Sequence, residues 1–235
     1  FQPEDNQLTL RDGSTIAYRL LIVAPGIRLA WEQIEGLEQT LGRNGVTSNY
    51  RYDLAPYTWN LVRTLRSGRA IFSQPPMPIK CAGAPQKAMY LSCDAWADRG
   101  VLGDIDVEFR NAGGVLFGVK EYVPALMEYV EKYGIDLKLN QTLVAVDGAG
   151  KKAVFKTEAG EETVEFDMLH AVPPQVAPQF VADSPLANAE SGFVDVNKLT
   201  LQHVRYPNVF GIGDAGSTPN AKTMAAARKQ APIVA

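Results

Sequence analysis

The 235-residue chain predicts an α/β fold with a parallel sheet, on three observations. Apolar runs of strand length alternate with helix-length amphipathic segments through its middle. A block of shorter strands with glycine turns follows that alternation. Near the end, an apolar strand closes on Gly213-Asp214 just ahead of an alanine-rich helix. The strand–helix–strand–helix–strand order is that of a nucleotide-binding type of unit.

Leu8-Thr9-Leu10 and residues 15–23 flank Arg11-Asp12-Gly13-Ser14, which predicts a β-hairpin with an Asp-Gly turn. Its second strand runs into residues 20–24, apolar at consecutive positions and stopped by Pro25-Gly26, a pattern that fits a strand buried on both faces. Residues 27–56 read as irregular, with short helical pieces near 31–41, and a helix is expected over 57–66. A strand over 70–73 leads through a proline stretch to Cys81. The helix from Pro85 to about residue 99 carries Met89, Cys93 and Trp96 at helical spacing. Residues 104–109 alternate as a strand, and 119–133 form a helix with an apolar face of Tyr122, Leu126, Tyr129 and Val130, closed by Gly134. Strands are expected over 135–139, 143–147, 153–157 and 163–169, and the turn Gly148-Ala149-Gly150 joins the middle ones. Pro173-Pro174 marks a change of character, after which come the strand 208–214 and the helix 222–230.

Composition narrows the functional classes. Hydrophobic residues at 46% and charged residues at 21% are ordinary for a globular chain. A net charge of −3 gives no electrostatic case for nucleic acid or anionic membranes. Two cysteines twelve positions apart make no disulfide framework, so a reducing compartment is the default. No stretch approaches the roughly 20 apolar residues that span a bilayer. Phe1 stands where an initiator Met would, and the chain stops directly after a helix, so a fragment is expected.

The Gly-x-Gly-x-x-Gly fingerprint is absent; where the middle unit should hold it stands Cys81-Ala82-Gly83-Ala84-Pro85. With Pro85 opening a helix and Lys80 and Lys87 on either side, Cys81 is placed where backbone N–H groups and positive charge favour the thiolate. A small buried apolar residue is the competing reading of the same cysteine. At the second candidate, Asp214 ends a strand where a carboxylate can meet a sugar or ribityl hydroxyl. The helix after Pro219-Asn220-Ala221-Lys222-Thr223 can point its positive end at an electron-rich ring. Gly-Asp is also a common turn. Cys93, about 12 Å along its helix from the turn, is beyond the roughly 7 Å of a disulfide and is read as core. His170 and His203 are read as structural, and Trp31, Tyr50, Tyr52, Tyr57 and Trp59 mainly as core packing.

These segments together resemble one family. Residues 15–26, the second unit, and Tyr206-Pro207-Asn208-Val209-Phe210-Gly211-Ile212-Gly213-Asp214 look like the two-dinucleotide-domain flavoprotein reductases. Lys80-Cys81-Ala82-Gly83-Ala84-Pro85-Gln86-Lys87 and Pro219-Asn220-Ala221-Lys222-Thr223 are similar to the sulfide:quinone oxidoreductases, of the type shared by bacteria and mitochondria. His170-Ala171-Val172-Pro173-Pro174-Gln175 and residues 195–203 extend the match.

The resemblance implies a Rossmann-like second nucleotide-binding domain with part of an FAD-binding domain. Residues 1–26 and 176–235 would belong to the latter and 27–175 to the former. It implies FAD as cofactor, Cys81 as the catalytic cysteine that takes up sulfide sulfur, and Gly213, Asp214, Lys222 and Thr223 as flavin-binding. Sulfide and a quinone are the implied substrates, and no metal or nucleic acid is involved. The parent protein would sit peripherally on a membrane through segments outside this chain, which by itself would be soluble; a homo-oligomer stays open.

Two departures stand out. Ala215-Gly216 occupy the place where many members carry a second redox cysteine, and an N-terminal FAD fingerprint is missing. An NADH:quinone oxidoreductase or a flavocytochrome-type sulfide dehydrogenase is the alternative on the same fold, with the absent glycine loop arguing against NADH. A flavin-free, non-catalytic binding domain is the alternative of another class.

Overall fold

All 235 residues are described by a computed structural model. From the N-terminus, β1 (Gln7–Thr9) and β2 (Thr15–Ala17) pair as the hairpin, and β3 (Leu21–Val23) and β4 (Arg28–Leu29) follow. Then come α1 (Leu37–Thr40), β5 (Val46–Thr47), α2 (Ala55–Thr64), β6 (Gly68–Gln74), α3 (Ala84–Asp98), β7 (Ile105–Asn111) and α4 (Val123–Lys132). The strands β8 (Asp136–Leu139), β9 (Thr142–Asp147), β10 (Lys152–Thr157), β11 (Gly160–Glu165), β12 (Met168–His170) and β13 (Gln175–Val176) come next. The chain finishes with α5 (Gln179–Ala182), β14 (Val209–Gly211) and α6 (Met224–Val234). It divides into two compact units: Phe1–Leu29, Pro78–Cys81 and Gln175–Ala235 form the first, and Ala30–Met77 with Ala82–Pro174 the second.

The second unit is built on a five-stranded parallel sheet in the order β5-β12-β6-β7-β8. In its central strand β6, Ala70, Ile71 and Phe72 are all fully buried, because both faces are covered. Ala70 and Phe72 join a cluster with Val62, Met89, Cys93 and Trp96 from α2 and α3. Ile71 faces the other way, into a cluster with Leu143, Ala153, Phe155 and Val164 from the antiparallel sheet β9-β10-β11. Helices, parallel sheet and antiparallel sheet therefore make three layers. The Arg99 guanidinium donates to the Val62 and Leu65 carbonyls at 2.8 and 2.7 Å, and Trp96 Nε1 donates to the Val62 carbonyl at 2.8 Å, which satisfies the C-terminus of α2. Gly68 starts β6 at φ +101°, where a Cβ would lie 2.0 Å from the Asp167 carboxylate that accepts the Arg69 N–H.

In the first unit β3 pairs with β14 in parallel, register Leu21↔Val209, and β4 pairs with β13 antiparallel. Val23, Val181, Leu186, Val194, Val196, Val209 and Ala215 form its core. Gly211 packs so tightly that a Cβ would meet Val194 Cγ1 at 2.9 Å.

Several expectations are corrected. The hairpin strand stops at Ala17, and the apolar run 20–24 supplies the separate strand β3. That strand is not buried on both faces: within β3 only Val23 is buried and Ile22 is 53% exposed, and Leu20 just before it is 65% exposed. Residues 163–169 are two strands in two sheets, broken at Phe166-Asp167, where the Asp167 N–H donates to the Arg69 carbonyl. The apolar face expected on α4 buries Val130, whereas Tyr122 and Tyr129 are exposed. Core packing does not account for Tyr52 or Trp59, which are also exposed. The 104–109 strand lies at 105–111 and is buried on both faces rather than alternating.

Candidate functional site

Cys81 sits in a turn held inside the first unit by hydrogen bonds from two of its backbone N–H groups. The Lys80 N–H donates to Gln175 Oε1 at 2.7 Å, and the Cys81 N–H donates to the Lys222 carbonyl at 2.9 Å. Lys80 and Lys222 thus form a parallel bridge. Cys81 is half-buried, with φ +58°, a left-handed conformation that costs a side-chain-bearing residue about 1–2 kcal/mol. The flanking hydrogen bonds offset that cost and fix where the thiol departs from the chain.

Lys222 joins this turn to the second candidate. Its side chain is almost fully buried and runs back to the Gly213–Ala215 turn that follows β14. Nζ donates to the Asp214 and Gly216 carbonyls, each at 2.8 Å, and stands 4.0 Å above the Phe193 ring. Burial lowers its pKa from 10.5 to about 8, against a smaller opposing pull from the Asp214 carboxylate. The carbonyl of Lys222 thus holds Cys81 while its ammonium holds the Gly-Asp turn.

Gly213 adopts φ +66°, and its N–H donates to Gln230 Oε1 at 2.7 Å. Gln230 Nε2 donates to Asn220 Oδ1 at 3.3 Å, so a buried glutamine on α6 pins the helix to the turn. Thr223 is the N-cap of α6: its Oγ1 accepts the Ala226 N–H at 3.1 Å. The helix starts at Met224, two residues later than its sequence pattern suggests, because Lys222 is drawn into the core and Thr223 is extended. The Asp214 carboxylate is half-buried and accepts no hydrogen bond within the chain.

The structure therefore brings Cys81, Gly213, Asp214, Lys222 and Thr223 into one unit. Gln175, Phe193 and Gln230 belong to the same constellation and carry no local signal in the sequence beyond a polar or aromatic side chain. Cys93 is fully buried beside Trp96, and burial pushes its thiol up to about 12, in keeping with a core residue. His170 Nε2 accepts the Asn49 N–H at 2.9 Å, with the ring stacked on Phe72; burial lowers its pKa to about 4. His203 Nδ1 accepts the Arg205 N–H at 3.0 Å, and Nε2 faces the Leu186 carbonyl at 3.2 Å. Both histidines are held by backbone groups, as structural residues are.

No family model matches the chain. Along its whole length it is 42% identical to the mitochondrial sulfide:quinone oxidoreductase of Dictyostelium discoideum, covering 52% of that protein. It is 39% identical to the mitochondrial sulfide:quinone oxidoreductase of Mus musculus, over 99% of this chain and 52% of the mouse protein. The chain thus spans about half the length of the curated relatives it matches. Among solved structures, a chain in the mitochondrial ATP synthase of Tetrahymena thermophila superposes with a TM-score of 0.82 at 25% identity, over 100% of this chain and 59% of that one. The sulfide:quinone oxidoreductase of Aquifex aeolicus superposes with a TM-score of 0.76 at 22% identity, over 92% of this chain and 51% of that one. That second likeness speaks to the fold alone, a Rossmann-like α/β arrangement that also superposes on the thioredoxin reductase of T. acidophilum with a TM-score of 0.62.

Proposed function

The chain is homologous to the sulfide:quinone oxidoreductases over its whole length, and from that premise we propose that the whole protein oxidises sulfide and passes the electrons through FAD to a membrane quinone. The observation that carries this reading is the 42% identity over 235 residues to an enzyme so named, in a chain that holds its cysteine turn and its Gly-Asp turn together through Lys222.

The residues present fit one wall of a flavin site. Gly213 leaves the chain without a side chain at a left-handed turn, so a ligand can approach the backbone closely. Asp214 offers a carboxylate that accepts no hydrogen bond within the chain and only a weak pull from the Lys222 ammonium, suited to accept from ribityl hydroxyls. Thr223 satisfies the Ala226 N–H and leaves the N–H groups of Met224 and Ala225 at the positive end of α6 for an electron-rich ring. FAD, when bound, supplies a two-electron acceptor between sulfur and quinone. Lys222 positions rather than touches: its ammonium is committed to two carbonyls, and through them it keeps the cysteine turn and the carboxylate turn in register. Cys81 presents the sulfur, from a turn whose backbone donors are both engaged.

A quinone substrate brings the whole protein to a membrane surface; no helix of this chain is long and apolar enough to cross a membrane. The test is sulfide-dependent reduction of a soluble ubiquinone analogue by a protein of the relatives' full length that contains this sequence. Cys81→Ser is expected to abolish the rate while leaving flavin absorbance in place. An unchanged rate would remove Cys81 from the mechanism, and a protein whose flavin is reduced by NADH but not by sulfide would replace the donor.

A further inference from the structure

Gln175 is the feature of this site that the proposed chemistry leaves unexplained. Its side chain is 97% buried, being 3% exposed, and its two ends are treated differently. The Lys80 N–H can only donate, so the carboxamide must turn its oxygen toward it, and the 2.7 Å bond fixes which end is which. Nε2, on the same carbon, is buried and has no acceptor. A buried donor left without a partner is destabilising unless something supplies an acceptor. Other buried polar atoms lack partners, such as His170 Nδ1 and Gln74 Oε1, but Gln175 alone among them grips the residue that precedes Cys81.

The chemistry of the turn says what the acceptor is. The N–H groups of Lys80 and Cys81 are both taken, by Gln175 Oε1 and by the Lys222 carbonyl. Gln175 Nε2, on the carboxamide whose oxygen holds the Lys80 N–H, is a buried side-chain donor at this turn that has no acceptor. A sulfur atom added to Cys81 extends the side chain by about 2 Å and carries a negative charge, which makes it a strong acceptor. We propose that Gln175 is a sulfur-binding residue whose Nε2–H donates to the outer, anionic sulfur of a persulfide on Cys81, while its Oε1 holds the turn. This inference rests on the reading of Cys81 as the sulfur-accepting residue. It assigns Gln175 a contact that replacement of the turn's own residues would not reveal.

Sodium polysulfide is the probe, used on the 235-residue chain under anaerobic conditions. The Cys81 thiolate attacks a sulfane sulfur; the Sγ–S bond forms, one S–S bond of the polysulfide breaks, and the shortened polysulfide leaves with the electron pair. No external oxidant is consumed. Intact-mass spectrometry reads the ratio of persulfide to thiol at a fixed polysulfide-to-sulfide ratio, with Cys81→Ser as the blank. Gln175→Glu retains an acceptor for the Lys80 N–H but removes the donor, and Gln175→Met removes both. Both variants are expected to lower the ratio about tenfold, the worth of one hydrogen bond to a charged group. A role confined to holding the turn would leave the Gln175 side-chain amide unmoved when Cys81 is persulfidated, whatever the added charge of Gln175→Glu does to the ratio. In the parent chain, the Gln175 side-chain amide resonances are expected to move when Cys81 is persulfidated, a readout that needs no variant to fold. Unchanged ratios together with an unmoved amide overturn the assignment of Gln175. A parent that gains no more sulfur than Cys81→Ser overturns the reading of Cys81 itself, a separate and recognisable result.

Discussion

The burial of Lys222 leads to a quantitative prediction about pH. Its ammonium is enclosed by two carbonyls and the Phe193 ring, and burial lowers its pKa from 10.5 to about 8. In the unfolded chain the amine keeps its ordinary value. Between those two pH values the unfolded state therefore binds more protons than the native state, and the stability tied to this group rises with pH. Below pH 8 the native state carries the full cost of a desolvated charge, which the hydrogen bonds and ring contact offset; above it the cost is released. A shift of this size corresponds to about 3 kcal/mol. Lys222→Met keeps most of the apolar stem and removes the titration. Urea unfolding of parent and variant from about pH 7.5 to 10.5 should show the stability difference moving in the parent's favour by about 3 kcal/mol. Exposed lysines and the tyrosines titrate in both proteins and cancel in that difference. A difference flat across the window would refute the enclosed ammonium, and with it the link between the cysteine and Gly-Asp turns.

Three further outcomes follow from the geometry. Iodoacetamide at mild alkaline pH should label the native chain once, at Cys81, because the Cys93 thiol is fully buried and pushed up to about 12; mass spectrometry showing two adducts on folded protein would contradict this. His170, buried and lowered to about 4 from 6.5, binds a proton in the unfolded chain before it does so in the native one, so stability falls as pH drops through that window. Relative to His170→Gln, the parent should lose about 3 kcal/mol between pH 6.5 and 4 in urea titrations, and equal slopes would count against the buried ring. Arg110, buried in β7, holds Glu108 at 2.6 Å and Glu162 at 2.8 Å and lies 4.6 Å over the Phe155 ring. Arg110→Met leaves the Glu108 carboxylate buried with Arg69 as its remaining cation, and should cost about 3–5 kcal/mol by denaturant unfolding; a loss below about 1 kcal/mol would show that the network carries no net stability.

Periodicity was enough to find the elements whose partners lie close in sequence. Met89, Cys93 and Trp96 recur at helical spacing and do line the buried face of α3, and the glycines at 148 and 150 do turn β9 back onto β10. It failed where burial depends on how many neighbours an element has. The run 20–24 has the composition of a central strand, yet Val23 is buried while Ile22, on the opposite face of β3, is exposed. Likewise, residues 163–169 read as one strand, and only the pairing of Met168 with Ala70 reveals that the chain changes sheets there.

The sequence by itself determined the α/β class, the cysteine turn in place of a glycine loop, and the Gly-Asp turn ahead of a helix, because each is written in consecutive residues. Only the tertiary structure decided what holds those turns. Gln175 lies 95 positions from the Lys80 N–H it accepts, and Lys222 reaches the Cys81 turn with its carbonyl and the Gly-Asp turn with its ammonium. Hydrogen-bond partners that far apart leave no periodic trace in the chain. They are set by the packing of the first unit's core, which buries Lys222 and Gln175 and leaves each few groups within reach.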